Sequence, residues 1–158
     1  MKLSFSLNRT SGLNYACAAV MLLMVVLLFV PFWNTGEQTV SINSYVWMPS
    51  GQTKLEAYFA DALGEKVDIN SVVTAPVLLL VLGVLGAALS IFKGQSAFGS
   101  LLGIPFGIVG IWGYATCPVL RLGSLWGLHL ALCIAALALS VGALVSGLLK
   151  ASDNSAIL

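Results

Sequence analysis

Charge is what this sequence has least of. Lys, Arg, Asp and Glu make up 8% of its 158 residues, against about a quarter in ordinary globular chains. With a mean hydropathy of +0.99, such a chain is excluded from the water-soluble class. The basic residues, Lys2, Arg9, Lys54, Lys66, Lys93, Arg121 and Lys150, are scattered, and the net charge is +1. No basic field exists for nucleic acid, which removes that partner class.

The reactive residue types are equally scarce. There is one histidine, His129, and there are three cysteines, Cys17, Cys117 and Cys133, with no CxxC or metal-ligand spacing. A redox pair and a zinc site are thereby excluded, and the cysteines read as unpaired small apolar residues. No carboxylate falls inside the long apolar runs. His129 therefore has nothing at membrane depth to orient it or share its proton, and it is expected to bond a facing Ser, Thr, Trp or backbone carbonyl. No glycine-rich loop stands in phosphate-cradling order before a helix, and no base activates the Ser and Thr hydroxyls. Proton- or sodium-coupled carriers need ionisable groups near the midplane, which are missing here. The inventory predicts no enzyme, no cofactor and no metal.

What the chain does contain is long apolar runs: about Asn14 to Trp33, Thr74 to Phe92, Ala97 to Thr116 and Ser124 to Leu149. Each approaches or exceeds the roughly 20 residues a helix needs to cross about 30 Å of hydrocarbon. The first follows a basic start with Lys2 and Arg9, but runs on through Val30-Pro31-Phe32-Trp33 with no small-x-small cleavage site. It reads as a retained span that doubles as insertion signal. The expected architecture is an all-α integral membrane protein, a four-transmembrane-helix bundle forming one domain over residues 1–158, with a long first outer loop from Asn34 to Asn70.

Lys2, Arg9, Lys93 and Lys150 fall on one side of such a bundle, which places both termini in the cytoplasm by the bias of short inner loops for Lys and Arg. The opposite loop carries Lys54 and Lys66 against Glu37, Glu56, Asp61, Glu65 and Asp68. It has no sequon and no cysteine pair, since Asn8-Arg9-Thr10 lies on the inner side, and this points to a bacterial plasma membrane.

The outer loop has two textures. Gln38 to Trp47 alternates, with Val40, Ile42 and Val46 on one side, as in a short β-strand stopped by Pro49-Ser50-Gly51. Thr53-Lys54-Leu55-Glu56 matches a capping box, and Leu55, Phe59 and Leu63 then recur on one face of a short amphipathic helix ended by Gly64. Trp33, Tyr45, Trp47, Tyr58 and Phe59 suit the headgroup level. Tyr45, Trp47, Tyr58 and Phe59 are candidates for a partner-docking surface.

The last three spans carry small residues at four-residue intervals, which let helix backbones approach closely. Gly99, Gly103 and Gly107 do so on span 3, Gly83 and Ala87 on span 2, and Ala138, Gly142 and Ser146 on span 4. Pro76 is expected in the first turn of span 2 and Pro105 in the interior of span 3, where it bends the helix.

Four spans with a long first outer loop holding β-structure, Trp33 and Trp47 resemble in topology the claudin and related tetraspan architecture. The Gly-Leu-Trp and following cysteine pair that mark the claudin loop are missing from Asn34 to Asn70, so no functional residue carries over. The functional expectation is a non-catalytic membrane subunit, in contact with lipid, packing with other integral membrane subunits or with itself. The alternative is an oligomeric pore or small-solute carrier lined by span 3. A third reading is an enzyme that borrows a cofactor through His129.

Overall fold

The computed structural model describes residues 12–47, 52–92 and 96–155. The expected turn at Pro49-Ser50-Gly51 lies outside them, as do Lys2, Arg9, Lys93 and the side chains of Thr53 and Lys150. The protein is mostly helical, with one two-stranded sheet.

Helix α1 runs Gly12–Leu27. It stops well short of the Trp33 expected for span 1, because Pro31 offers no N–H and disfavours helical geometry at Val30. The chain then enters strand β1, Pro31–Asn34, which pairs antiparallel with β2, Thr39–Ser41. Gly36 supplies the positive φ of +85° in the tight connection, and its N–H donates to Asn34 Oδ1 at 2.9 Å. The register slips between Pro31 and Trp33, so Phe32 is the extra residue of a bulge. Two adjacent residues, Phe32 and Trp33, can therefore both be buried, which a regular strand forbids.

The strand expected to reach Trp47 ends at Ser41. Ser41 Oγ accepts the Ser44 N–H at 3.1 Å, the geometry of a helix N-cap, and α2 follows over Ile42–Trp47. Ile42 and Tyr45, three apart, become its inward face. Helix α3, Gln52–Leu63, begins one residue before the proposed Thr53 cap. It closes as expected, with Gly64 at φ +71° and its N–H on the Ala60 carbonyl at 2.9 Å. Leu55 and Phe59 form its buried face, and it packs on α6, Pro118–Arg121.

Helix α4 spans Ile69–Ile91, capped by Asp68 Oδ1 accepting the Asn70 N–H at 3.1 Å. This cap starts the helix earlier than its apolar run. Pro76 is consequently interior rather than in the first turn, and frees the Val72 carbonyl. Helices α5, Ser96–Thr116, and α7, Trp126–Ser155, complete the chain, with Pro105 inside α5. Among the described residues, three segments are long and apolar enough to cross a membrane: Val72–Ile91, Phe98–Thr116 and Trp126–Leu149. The fourth helix, α1, has 16 residues and reaches about 24 Å.

These four helices pack as a ring, α1 on α4, α4 on α5, α5 on α7 and α7 on α1, with α1 and α5 also touching across it. Met21, Met24, Leu79, Phe106 and Ala136 lie in their shared core. The sheet, α2 and α3 sit at one end as a cap, continuous with that core through Phe32 and Trp33.

Candidate functional site

Two features carry the sequence-derived candidates: the small-residue seams between helices and the aromatic cap. On α5 the glycines divide between neighbours. A methyl group at Gly107 would lie 2.6 Å from Leu137 Cβ and 2.9 Å from the Cys133 carbonyl, so this glycine faces α7. Gly103 abuts Ser140 of α7 and Cys17 of α1, while Gly99 abuts Ser90 of α4. Gly110 and Gly113, which continue the face, abut Cys133 and Ala75. On α4, Gly83 faces Val25 and Phe106, and Ala87 is buried.

Polar groups in these seams are paired locally. The Cys17 thiol meets Ser140 Oγ at 3.1 Å, whose hydroxyl donates to the Ala136 carbonyl at 2.7 Å. The buried Ser100 hydroxyl donates to Asn14 Oδ1, and Ser90 returns its proton to the Gly86 carbonyl at 2.8 Å. The Cys17–Ser140 and Ser100–Asn14 contacts join α1 to α7 and to α5, while the bonds to Ala136 and Gly86 satisfy the two hydroxyls within their own helices, where an unpaired polar group would be expensive. All three cysteines are free and buried.

The α7 face chosen from sequence is placed differently. Cys133, Leu137 and Ser140 are the residues that meet α5. Ala138 is exposed, and Gly142 and Ser146 are half-buried, with Leu13 Cδ1 4.0 Å from a methyl at Gly142. Gly127 and Gly147 have nothing within 4 Å. The small residues nominated on α7 thus lie outside its seam with α5.

The aromatic candidates also separate. Tyr45 and Phe59 are buried, packed edge-on against Trp33 with centroids at 5.5 and 5.2 Å. They are inside the cap and offer no surface. Tyr58 is half-buried beside Phe59, and Trp47 alone of the four is exposed, at 63%. Burial first, then the nearby Glu56 and Cys117, push the Tyr45 phenol above its ordinary value. Lys54 and Glu37 pair at 3.3 Å with both side chains in solvent, a contact of little weight.

The hub of the cap is Trp33, which sequence reasoning placed among interfacial anchors. Its indole N–H donates to the Val119 carbonyl at 3.0 Å, and its ring stands edge-on to Phe32 at 5.0 Å. Phe32 in turn stacks on His129 at 4.9 Å and covers Gly123, where no side chain would fit. His129 Nδ1 lies 2.9 Å from the Tyr114 hydroxyl. Its partner is therefore a tyrosine, outside the set expected from sequence. Its Nε2 is buried with no hydrogen-bond partner among the described residues. Trp126 donates its indole N–H to the Tyr114 carbonyl at 2.7 Å. Phe32, Gly123 and Tyr114 carried no sequence signal beyond their types. The aromatic content of Phe32-Trp33, next to a proline that breaks a span, is the clue that was present.

Among the described residues, the ring contacts of the imidazole are with Phe32 and Tyr114. Five of the six carboxylates belong to positions 37 to 68 and the sixth is Asp153, so none lies in the three long apolar segments. Among the described residues no group of three or more His, Cys, Asp or Glu stands close enough to hold a metal ion. Comparison with protein-family models, curated proteins and solved structures gave no match to this chain.

Proposed function

We propose that this chain is a non-catalytic, four-span subunit of a membrane assembly, packing through its last helix with a larger complex or with a second copy. The observation that carries the reading is the uncovered side of α7. Along its apolar stretch 17% of the residues are buried within the chain, against 39% for α4 and 44% for α5. Gly127, Ala131 and Ala138 lie open along it, beside Ile134, Val141 and Val145. Lipid gives helices no hydrophobic drive to associate, so close packing over small residues is what such a side offers a partner helix.

A fourth crossing by α1 requires its apolar run to continue past Leu27 without helical bonding. Non-helical backbone is tolerated at membrane depth only where protein satisfies it. Here the Leu28 carbonyl accepts the Asn43 N–H at 2.9 Å, the Phe32 carbonyl accepts the Ser124 N–H at 2.8 Å, and the Phe29 and Val30 N–H groups bond back to Val26 and Leu27. The helix and the protected segment after it together suit one crossing, with both termini cytoplasmic and the cap outside. Labelling of cysteines introduced at positions 2 and 150 should occur only from the inner side, and labelling from outside intact cells would reverse the orientation.

Purification in mild detergent tests the assembly. Recovery of a stoichiometric membrane partner, or of a homo-oligomer without flux, fits the reading, provided Ala138→Leu weakens the association. A homo-oligomer that conducts ions or solutes in liposomes replaces it with the pore or carrier. An absorbance band from a bound prosthetic group ends the non-catalytic reading.

A further inference from the structure

Large apolar side chains stand exposed on α4 from Leu78 to Phe92 and on α5 from Phe98 to Trp112. At about 1.5 Å of rise per residue, each strip is about 21 Å long. The two helices run antiparallel with their contacts in step: Gly99 on Ser90, Gly86 on Leu102, Gly110 on Leu79 and Gly113 on Ala75. This register sets Phe92 level with Phe98, and Leu78 level with Trp112, to within about 3 Å. Neighbouring helices therefore begin and end their apolar surface at the same two heights.

Both ends are marked chemically. Toward the cap, the next exposed residues among those described are Thr74 and Asn70 on α4 and Thr116 on α5. Trp112 is exposed at that height, as is Trp47 beside Val77 and Leu80, and tryptophan favours the headgroup level. Past Phe92 the sequence continues Lys93-Gly94-Gln95-Ser96. The strip on α7 is longer. Its exposed apolar side chains run from Leu128 to Leu149, about 32 Å, which hydrocarbon of ordinary depth, about 30 Å, covers. The same layer set at the Phe92 end of the α4–α5 flank would submerge Thr74, Thr116 and Trp112. One flat layer cannot match both sides, and a protein surface shorter than the bilayer is met by thinning the bilayer.

We infer that the α4–α5 flank thins the membrane against it, gathering phospholipids whose opposed acyl chains together fill about 21 Å. The partner is an annulus of short-chain lipid confined to one side of the molecule, while the longer strip of α7 suits ordinary depth. The inference rests on α4 and α5 crossing the membrane and is independent of what packs on α7.

The full chain reconstituted in brominated dioleoylphosphatidylcholine reports lipid contact through quenching of its tryptophans, and the two exposed ones, Trp47 and Trp112, stand on this flank. Competition with unbrominated lipids gives relative binding constants. Dimyristoleoylphosphatidylcholine should bind at least about twofold more tightly than the dioleoyl lipid, because its shorter chains relieve the mismatch. Thr74→Leu combined with Thr116→Leu lengthens both strips by about 6 Å and should move the preference to the dioleoyl lipid. Each single variant should move it part of the way, which covers the case in which the pair does not fold. Equal binding of the two lipids by the wild type, or tighter binding of the longer one, overturns the inference, and so does an unchanged preference in the variants. Absence of any quenching by brominated lipid would remove α4 and α5 from the bilayer, and the inference would then fall with their membrane placement rather than on thickness.

Discussion

The Phe32 carbonyl accepts two hydrogen bonds from Ser124, one from its backbone N–H at 2.8 Å and one from its hydroxyl at 3.1 Å. A bulged residue in the segment after α1 is thereby clamped to the connection before the last helix, 92 positions away. The bulge turns the Phe32 carbonyl out of the ladder, and Ser124 satisfies it. The ring of Phe32 then closes over Gly123 and His129.

This clamp makes Phe32 a large contributor to stability. Phe32→Ala should destabilise the fold by about 3–5 kcal/mol, the usual range for a buried aromatic ring. Gly123→Ala should cost about 1–3 kcal/mol by forcing that ring aside. Thermal unfolding in detergent, followed by tryptophan fluorescence, checks both, and an unchanged melting temperature for either would remove the clamp from the account.

Glycine positions should divide by what they face. Gly103→Leu and Gly107→Leu should abolish a stable monodisperse product, because each has a neighbouring helix inside contact distance. Gly127→Leu and Gly147→Leu should leave the fold and its yield intact, since nothing in the chain lies over them, although Gly127→Leu, on the open side of α7, should weaken association as Ala138→Leu does. Size-exclusion profiles of the four variants decide it, and similar behaviour of all four would mean that the seams are misassigned.

His129 and Tyr114 should be coupled. His129→Phe leaves the buried Tyr114 hydroxyl without its partner at a cost of about 1–3 kcal/mol. Tyr114→Phe strands the imidazole in the same way. The double variant should recover part of the loss, with a coupling of about 1 kcal/mol in a double-mutant cycle. Strict additivity would show that the 2.9 Å contact contributes nothing.

The Tyr45 phenol gives the cap an alkaline limit. Its folded-state value is raised by burial and by Glu56, so the neutral phenol is favoured in the fold. The stability this contributes is complete below about pH 10, where the unfolded phenol is also neutral. It falls as pH rises from there through the higher folded value. Wild type should therefore lose more stability between about pH 9 and about pH 11 than Tyr45→Phe does. Parallel melts across that range test the sign, and identical slopes would exclude it.

The long helices were legible because their signal is local. Uninterrupted apolar composition over Val72–Ile91, Phe98–Thr116 and Trp126–Leu149 meets the length a bilayer demands. The Gly64 stop of α3 was legible for the same reason, since only glycine adopts its φ of +71° without strain. The beginning of α4 was not, because Asp68 lies outside the apolar run. The end of α1 was missed because apolarity outlasts helicity there, and Pro31 decides the matter. The strand expected over Gln38 to Trp47 was lost to one side chain, Ser41, whose bond to the Ser44 N–H competes with further pairing.

The candidate surfaces were less legible still. Tyr45, Trp47, Tyr58 and Phe59 share the amphipathic character that favours an interface, yet two are buried beside Trp33 and one, Trp47, is exposed. Which side of α7 meets α5 turns on a rotation of about 100° per residue. Ala138–Gly142–Ser146 and Cys133–Leu137–Ser140 are equally plausible stripes until a neighbour is present to choose.

By itself the sequence determined that the chain is largely apolar helix with its charge kept to the ends and to the connections between the apolar runs, because transfer to hydrocarbon depends on composition along a segment. Only the tertiary structure decided that Phe32 and Trp33 point inward together, that His129 meets Tyr114 and that α7 keeps an open side. Those outcomes depend on contacts between residues as far apart as Phe32 and Ser124, and no local spacing encodes which distant partner satisfies a buried carbonyl.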